Sequence, residues 1–450
     1  MRRAARIVLA MVVLAVATAA CSAQADDQTA PTTTSSRPAP TTTTTTTEPP
    51  PVVMVGADRL VTSGFIALAG DRVALIANQT SLVGGRHLID VLHEAPDVDL
   101  VAVFAPEHGV RGTEGAGAEI SDEVDAATGV PILSLYGETR QPTPQMLEGV
   151  DTIVFDLQDV GGRFYTYIST MGLAMQAAND AGVRFVVLDR PDPSGLTGPS
   201  GFVLEPEHVS FVGQFPIAAA YAMTPGELAR AIVGEGWIDG VDGLRLDVIA
   251  LGGWERGMTW EETGIEWIPP SPGLQTPTAA VVYLGTVLLE ATSISFGGGT
   301  HLTFEQVGAP WAEADVVLAD LSSRGLPGVD FDAVSFTPGP LPGRTAEPRL
   351  NGEQVHGVRI TITDRATFDP VEVGVHIVDA FWIEARRHDI SDEEYVDRTS
   401  MMTLLAGTTR LVDELAAGAT AADVVAGWQA ELEAFDEARQ RYLLYPEPQP

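Results

Sequence analysis

"DTIVFDLQDVGGRFYTYIST", residues 151–170, decides the fold. Its opening, Asp151–Asp159, is a near-continuous apolar run, too short for a helix, that breaks into carboxylates, a glutamine and the Gly161-Gly162 pair. From Tyr167 to Ala181 the pattern then predicts a helix. An apolar run of this length suits a strand buried on both faces, which is the setting of a parallel sheet.

Working outward, the same kind of run recurs at Arg72–Asn78, Val98–Pro106, Pro131–Gly137 and Arg184–Pro191, with helix-like segments at His87–His93 and Thr143–Leu147. Alternating strands and helices imply right-handed crossovers and an α/β fold built on an open, doubly wound parallel sheet. Ligands bind such sheets beyond the carboxyl ends of the strands. Three polar stretches fall there: "APEHG" (105–109), "LQDVGGRFYTY" (157–167) and "LDRPDPSG" (188–195).

Each stretch has a chemical and a structural reading. Glu107, at a strand end facing a cleft, is suited to partial desolvation and general-acid work; the alternative is a turn cap or a pair with Arg111. Asp156, Gln158, Asp159, Arg163, Tyr165 and Tyr167 crowd one junction, where polar edges and rings suit a hydroxyl-rich ligand. The alternative there is an internal network of ion pairs and caps. Arg190, between Asp189 and Asp192, suits bidentate binding of a substrate carboxylate or a buried ion pair.

Several classes are excluded. "ANQTSLVGG" (77–85) after the first strand lacks the glycine spacing of a dinucleotide site. No HxxxH or paired cysteine offers metal-ligand spacing, and no GxSxG elbow is present. A net charge of −35, with 61 acidic residues against 26 basic ones, all arginine, argues against nucleic acid as a partner.

The N-terminus adds a location. Arg2, Arg3 and Arg6, the apolar run Ile7–Ala20 and the small residues before Cys21 have the order of a secretory signal peptide. Thr18-Ala19-Ala20-Cys21 resembles a bacterial lipobox, with threonine where leucine is usual. Cys21 is therefore expected to carry a lipid that anchors the chain at the outer face of the cytoplasmic membrane or in the cell wall. The expected organisation is a leader over 1–21, a Thr/Pro-rich disordered tether over 22–54, a Rossmann-like domain over 55–210 and a C-terminal α/β domain over 211–450. In the last of these, Thr224, Pro225 and Glu227 mark a capped helix start. The proline-rich "WIPPSPGLQTPT" (267–278) predicts an ordered loop, and residues 421–445 predict an amphipathic helix.

Taken together, "APEHGVRG", "SLYG", "DLQDVGGRFYTYISTM", "VLDRPDPSG", "MTPGELA", "PPSPGLQTPTAAVVYLGTVLLEATSIS" and "GAPW" resemble, in order, motifs of the bacterial exo-β-N-acetylmuramidase family of glycoside hydrolases. The likeness runs from about Ala57 to Tyr445. It implies a Rossmann-like domain followed by a smaller α/β domain with the active site in the cleft between them. It also implies release of N-acetylmuramic acid from the non-reducing ends of peptidoglycan fragments, with no metal or nucleotide. The family's "PEHG" glutamate falls on Glu107 as general acid. Asp156 and Asp159 are candidates for the second carboxylate, unless the substrate's own acetamido group serves. His108, Gln158, Arg163, Tyr165, Tyr167 and Arg190 are the expected sugar and lactyl-carboxylate contacts. Two departures stand out. "SFGGGT" places Phe296 and Gly298 where the family has an acidic residue and an arginine, and "SPGLQT" replaces its "SPNMPT". They raise an alternative of another class, a lipoprotein that binds muropeptides without cleaving them.

Overall fold

The computed structural model describes residues 52–111 and 118–446. The leader, Cys21 and most of the tether lie outside them, as do residues 112–117, which hold the glycines after the Glu107 turn. The described residues belong to one compact unit. The end of the expected tether belongs to it: Val53 is buried, and Val53 and Met54 donate backbone hydrogen bonds to Thr263 and Gly252.

Seven strands form the central sheet: β1 (Arg72–Ala77), β2 (Asp99–Ala105), β3 (Glu123–Val124), β4 (Pro131–Ser134), β5 (Thr152–Asp156), β6 (Arg184–Leu188) and β7 (Leu246–Ile249). Their order is β7-β6-β5-β1-β2-β4-β3. All pairings are parallel except that of the edge strand β3 with β4. The chain starts in the middle, builds outward through β2 to β4, then returns to the other side of β1. That reversal between β1 and β5 is the switch point of a doubly wound sheet. Because β7 extends the sheet, the expected break at 210/211 falls inside the sequence that builds it.

Four helices cover the two faces: α1 (Gly56–Thr62), α2 (Leu88–His93), α3 (Tyr167–Ala181) and α4 (Pro225–Glu235). Side chains alternate along each strand, so each strand feeds two cores. Ile76, Phe155, Phe185 and Val187 pack with Met171 and Met175 of α3 and with Leu228 and Ile232 of α4. Leu75, Val154, Val186 and Leu188 pack with Leu60 of α1 and with Leu88 and Leu92 of α2. This two-sided burial is why the strands read as unbroken apolar runs.

A third core lies under an antiparallel sheet of β8 (Gln306–Ala309), β9 (Val329–Phe336) and β10 (Val355–Ile362), with β10 in the middle. Helices α5 (Pro277–Thr286) and α6 (Pro370–Arg387) cross against it. Their contact point is Gly285 on Gly374: a Cβ on Gly285 would lie 1.8 Å from the Pro370 carbonyl oxygen, so only glycine allows the approach.

Two expected helices differ. Thr143–Leu147 forms turns, ended by Gly149 at φ 76°. Residues 421–445 break at Trp428 into Ala421–Gly427 and Gln429–Arg439, because the Trp428 ring is buried against Phe202 at 4.9 Å. The chain then returns to the first sheet, where the Tyr445 hydroxyl donates to Asp189 and the Leu444 amide to Glu227. Among the described residues, no helix is long and apolar enough to cross a membrane.

Candidate active site

The site starts at the carboxyl end of β2. Pro106 ends the strand and Gly109 closes a turn onto its carbonyl at 2.9 Å. Between them, His108 is held at φ 70°, a left-handed conformation rare for a residue with a side chain. The turn leaves Glu107 half-buried at the mouth of a cavity of about 500 Å³. Thr166, on the loop before α3, donates its hydroxyl to Glu107 Oε2 at 2.6 Å. The Tyr136 hydroxyl bonds the same carboxylate, and burial, followed by the charge of Glu107, raises the phenol's pKa. Arg140 lies 4.8 Å from the Tyr136 ring and 4.2 Å from the Phe211 ring.

The opposite wall comes from the C-terminal half. After α5 the chain tightens into a 3₁₀ turn, Val287–Ala291, that presents Glu290 to the cavity. Burial pushes the Glu290 carboxyl up to about 7; the charge of Glu107 adds to the rise, and Arg398 and Arg349 oppose it. Three carboxyl groups therefore line one cavity, Glu107, Glu290 and the exposed Glu347, and Glu290 is kept partly protonated near neutral pH.

The remaining wall is aromatic. Phe296 stacks on Phe304 with ring centres 5.2 Å apart and planes 14° from parallel, and Tyr283 meets Phe304 edge-on at 4.8 Å. Gly298 fits under this stack, since its Cβ would lie 3.0 Å from Phe296. Phe296 and Gly298 thus belong to one apolar platform. The proline-rich loop closes the cavity through Ser271–Leu274. It is tied down by Gln79 Nε2 to the Pro269 carbonyl at 2.8 Å, by the Tyr167 hydroxyl to that of Pro270 at 2.7 Å, and by Gln275 to that of Pro272 at 2.9 Å. Among the described lining residues, Arg344 is the arginine.

The residues singled out from sequence divide into three groups. Glu107, His108 and Tyr165 line this cavity. Gln158 and Arg190 line a separate one. Asp156, Asp159, Arg163 and Tyr167 are buried and serve the protein itself. Asp156 holds Arg190 in a bidentate pair at 2.6 and 3.0 Å, the structural alternative for that arginine. Asp159 Oδ2 accepts from the Gly161 amide at 2.6 Å and from the Tyr221 hydroxyl. Burial pushes its carboxyl to about 7 against those two bonds. Arg163, expected at the sugar, donates to the carbonyls of Phe202, Ile217 and Leu405 at 2.6 to 3.0 Å. Tyr167 accepts from Asn78 at 2.9 Å as it bonds Pro270. The close approach at Gly161 is to the Asp192 carboxylate, 2.6 Å from where a Cβ would stand.

Sequence reading missed Glu290, Thr166 and Arg344. Glu290 sits in "GTVLLEATS" with no strand end or polar cluster beside it; one charge in an apolar run is the only signal it gives. A Glu313, Glu384 and His388 group has metal-ligand chemistry but lies outside the cavity lining. Glu384 there is engaged by His388 at 3.2 Å and Arg387 at 3.4 Å.

Comparison with known proteins decides the family. Residues 73–278 match the N-terminal domain of the exo-beta-N-acetylmuramidase NamZ, and residues 281–445 match its C-terminal domain. The chain belongs to the NamZ family. It is 39% identical over 398 residues to the peptidoglycan beta-N-acetylmuramidase NamZ of Bacillus subtilis, covering 87% of this chain and 91% of that one. Crystal structures of two DUF1343 family proteins from Bacteroides fragilis share the fold. The first has a TM-score of 0.80 at 35% identity, covering 87% of this chain and 99% of the other. The second has 0.71 at 30%, covering 88% and 99%. The NamZ domain boundary, between 278 and 281, falls at the start of α5, some 70 residues after the break expected from sequence.

Proposed function

We propose that the chain is an exo-acting glycoside hydrolase that releases N-acetylmuramic acid from the non-reducing ends of peptidoglycan fragments. Membership of the NamZ family supports a peptidoglycan-cleaving glycosidase. The observation that carries the mechanism is that two half-buried carboxyl groups, Glu107 and Glu290, line one cavity, whose third carboxyl, Glu347, is exposed.

Glycosidic cleavage needs a proton for the leaving oxygen and negative charge, or a nucleophile, for the oxocarbenium-like carbon. Two acids in different surroundings divide that work. Sequence motifs point to Glu107 as the acid, whereas the surroundings favour Glu290. Glu290 stands among apolar side chains that keep its proton on. Glu107 accepts hydroxyl bonds from Thr166 and Tyr136. We assign Glu290 as proton donor and Glu107 as the anion that steadies the developing positive charge or orients the acetamido group. Phe296 and Tyr283 offer apolar faces to the sugar ring, and Arg344 offers its charge to the lactyl carboxylate.

The test is hydrolysis of a β-linked N-acetylmuramic acid disaccharide beside an aryl glycoside whose leaving group needs no proton. Glu290→Gln is expected to lose the disaccharide reaction while keeping most of the aryl reaction. Glu107→Gln is expected to lose both. The reverse pattern returns the acid to Glu107. No turnover by the wild type, with muropeptide affinity retained, establishes the binding-protein alternative that Phe296 and Gly298 raise.

The same proposal places the enzyme outside the cytoplasm, cleaved before Cys21 and lipid-anchored there. Labelling with a lipid precursor checks it: absence of label on the wild type, or its persistence in Cys21→Ser, refutes the anchor.

A further inference from the structure

Beside the cavity that Glu107 and Glu290 share, a further group of side chains stands on its rim. Ser210 and Gly213 exchange backbone hydrogen bonds at 2.8 and 3.1 Å, so Phe211 and Val212 form the tip of a tight two-residue turn. Such tips usually go to glycine, asparagine or aspartate, which suit the backbone and face water. Here both tip residues are apolar and half-buried, and they part at the rim. Val212 lines the cavity, whereas Phe211 packs outside it on Tyr136, with ring centres 5.8 Å apart.

Arg140 completes the group. Thr139 shapes the turn that carries it: the Thr139 hydroxyl donates to the Gln141 carbonyl at 2.7 Å and accepts from the Gln141 amide at 3.2 Å. The guanidinium is thereby laid 4.2 Å from the centre of the Phe211 ring and 4.8 Å from that of Tyr136. It also bonds the Tyr136 hydroxyl, the same hydroxyl that bonds Glu107. A guanidinium on a ring face keeps in-plane N–H donors for other partners, and Arg140 is exposed, so donors remain open to solvent.

Two surfaces therefore meet at Glu107. One is the cavity; the other is an open platform of one ring and one cation, joined to Glu107 through a single side chain, Tyr136. An enzyme that cuts one sugar from a chain end takes that sugar into the cavity. The bond to be cut then lies where the carboxyl groups reach it, and the sugar beyond that bond has to cross the mouth. An aromatic face beside N–H donors suits such a group, since a sugar ring has an apolar C–H face and oxygens along its edge.

We propose that Phe211 and Arg140 bind the leaving sugar, an N-acetylated aminosugar still joined to the rest of the fragment. Its C–H face rests on Phe211, and its hydroxyl and acetamido oxygens take the open Arg140 donors. The assignment rests on the reading of the cavity as the site of the terminal N-acetylmuramic acid. It holds whichever of the two glutamates gives the proton, because the leaving oxygen departs past the mouth in either case.

Two substrates separate this platform from the cavity: the β-linked N-acetylmuramic acid disaccharide, and the matching glycosyl fluoride, whose one-atom leaving group cannot reach Phe211. Arg140→Ala and Phe211→Ala are each expected to lower kcat/KM about tenfold more on the disaccharide than on the fluoride, the size of one ring contact or one charge-assisted hydrogen bond. Phe211→Tyr, which keeps the ring, should hold the wild-type ratio. If Phe211→Ala does not fold, the exposed Arg140 carries the test alone. An equal fall on both substrates makes the group a positioning device for Glu107 and overturns the proposal; so does no fall on either, or a wild type that cleaves the fluoride but not the disaccharide. A wild type that cleaves neither refutes the glycosidase reading instead, and isothermal titration then compares the disaccharide with N-acetylmuramic acid alone. Tighter binding of the disaccharide, lost in Arg140→Ala, supports the platform; equal affinities overturn it.

Discussion

Asp159 and Glu290 are both carboxyl groups that burial pushes to about 7, yet they do different things. Asp159 lies just past β5, in the junction richest in polar side chains, and its Oδ2 is taken by a backbone amide and a tyrosine. Glu290 lies in an apolar turn and opens on a cavity shared with Glu107. A perturbed acid is thus no site by itself; what separates the two is whether a substrate can reach the proton. The polar density of the 156–167 junction is mostly scaffolding that fixes strand ends, and the sparse glutamates that line the cavity are the ones we propose carry the chemistry.

The largest effect expected from this contrast is on turnover. Glu290→Gln and Glu107→Gln should each lower kcat on the natural disaccharide by about 10²- to 10⁴-fold, the range of general acid and charge stabilisation. Asp159→Asn should leave kcat within a few-fold of wild type, measured on the same substrate. A loss from Asp159→Asn as deep as that from Glu290→Gln would erase the distinction.

Next in size is a stability effect at Arg163. Its guanidinium bonds three main-chain carbonyls, and Gly407 packs so close that a Cβ there would meet Arg163 Nη2 at 2.5 Å. Arg163→Met removes a donor from all three carbonyls, of which Ile217 keeps the Leu204 amide at 3.1 Å, and should cost about 3 kcal/mol or more, read by denaturant unfolding. The KM of the folded fraction should stay unchanged. A raised KM with intact stability would return Arg163 to the substrate.

The pH dependence sharpens the comparison further. Asp159 and Asp189 both have carboxyls raised to about 7, chiefly by burial, against about 3.9 in an unfolded chain. Over that window the folded state holds more protons than the unfolded one, so their contribution to stability is full below about pH 4 and is lost as pH rises through about 7. Unfolding free energy measured from pH 4 to 8 should fall accordingly, and Asp159→Asn should flatten the slope by about one proton. The basic limb of kcat, by contrast, should follow Glu290, with activity falling as that acid loses its proton above about 7. Asp159→Asn leaves that limb in place.

These contrasts mark what the sequence could disclose. The sheet was legible because burial on both faces writes an unbroken apolar run, and Glu107 because it follows such a run at a strand end. The division of labour among Asp156, Asp159, Arg163 and Arg190 was not, because the same residue types suit a ligand or one another. Which reading holds depends on partners distant in sequence: Tyr221 for Asp159, Leu405 for Arg163. A boundary is hard to read near 210 for a related reason, since β7 and the tail around Tyr445 rejoin the first sheet from far along the chain. Glu290 was hidden because no other charged residue stands near it in sequence, and its raised pKa comes from a burial that only the fold creates.

The smallest expected effect concerns the platform that replaces a charged pair. If Phe296 serves the sugar's apolar face, Phe296→Ala should raise KM by about tenfold or less, the worth of one aromatic contact, and leave kcat nearly unchanged. A fall in kcat at constant KM would instead tie the ring to the chemical step. Gly298 allows a stricter version. A side chain at 298 meets the Phe296 ring at 3.0 Å, so Gly298→Arg alone should displace the ring from Phe304 and raise KM more than Phe296→Ala does. Combining Gly298→Arg with Phe296→Glu removes that clash and restores the charge pattern usual in the family. The double variant should then bind better than Gly298→Arg alone, a coupling that independent positions would not show.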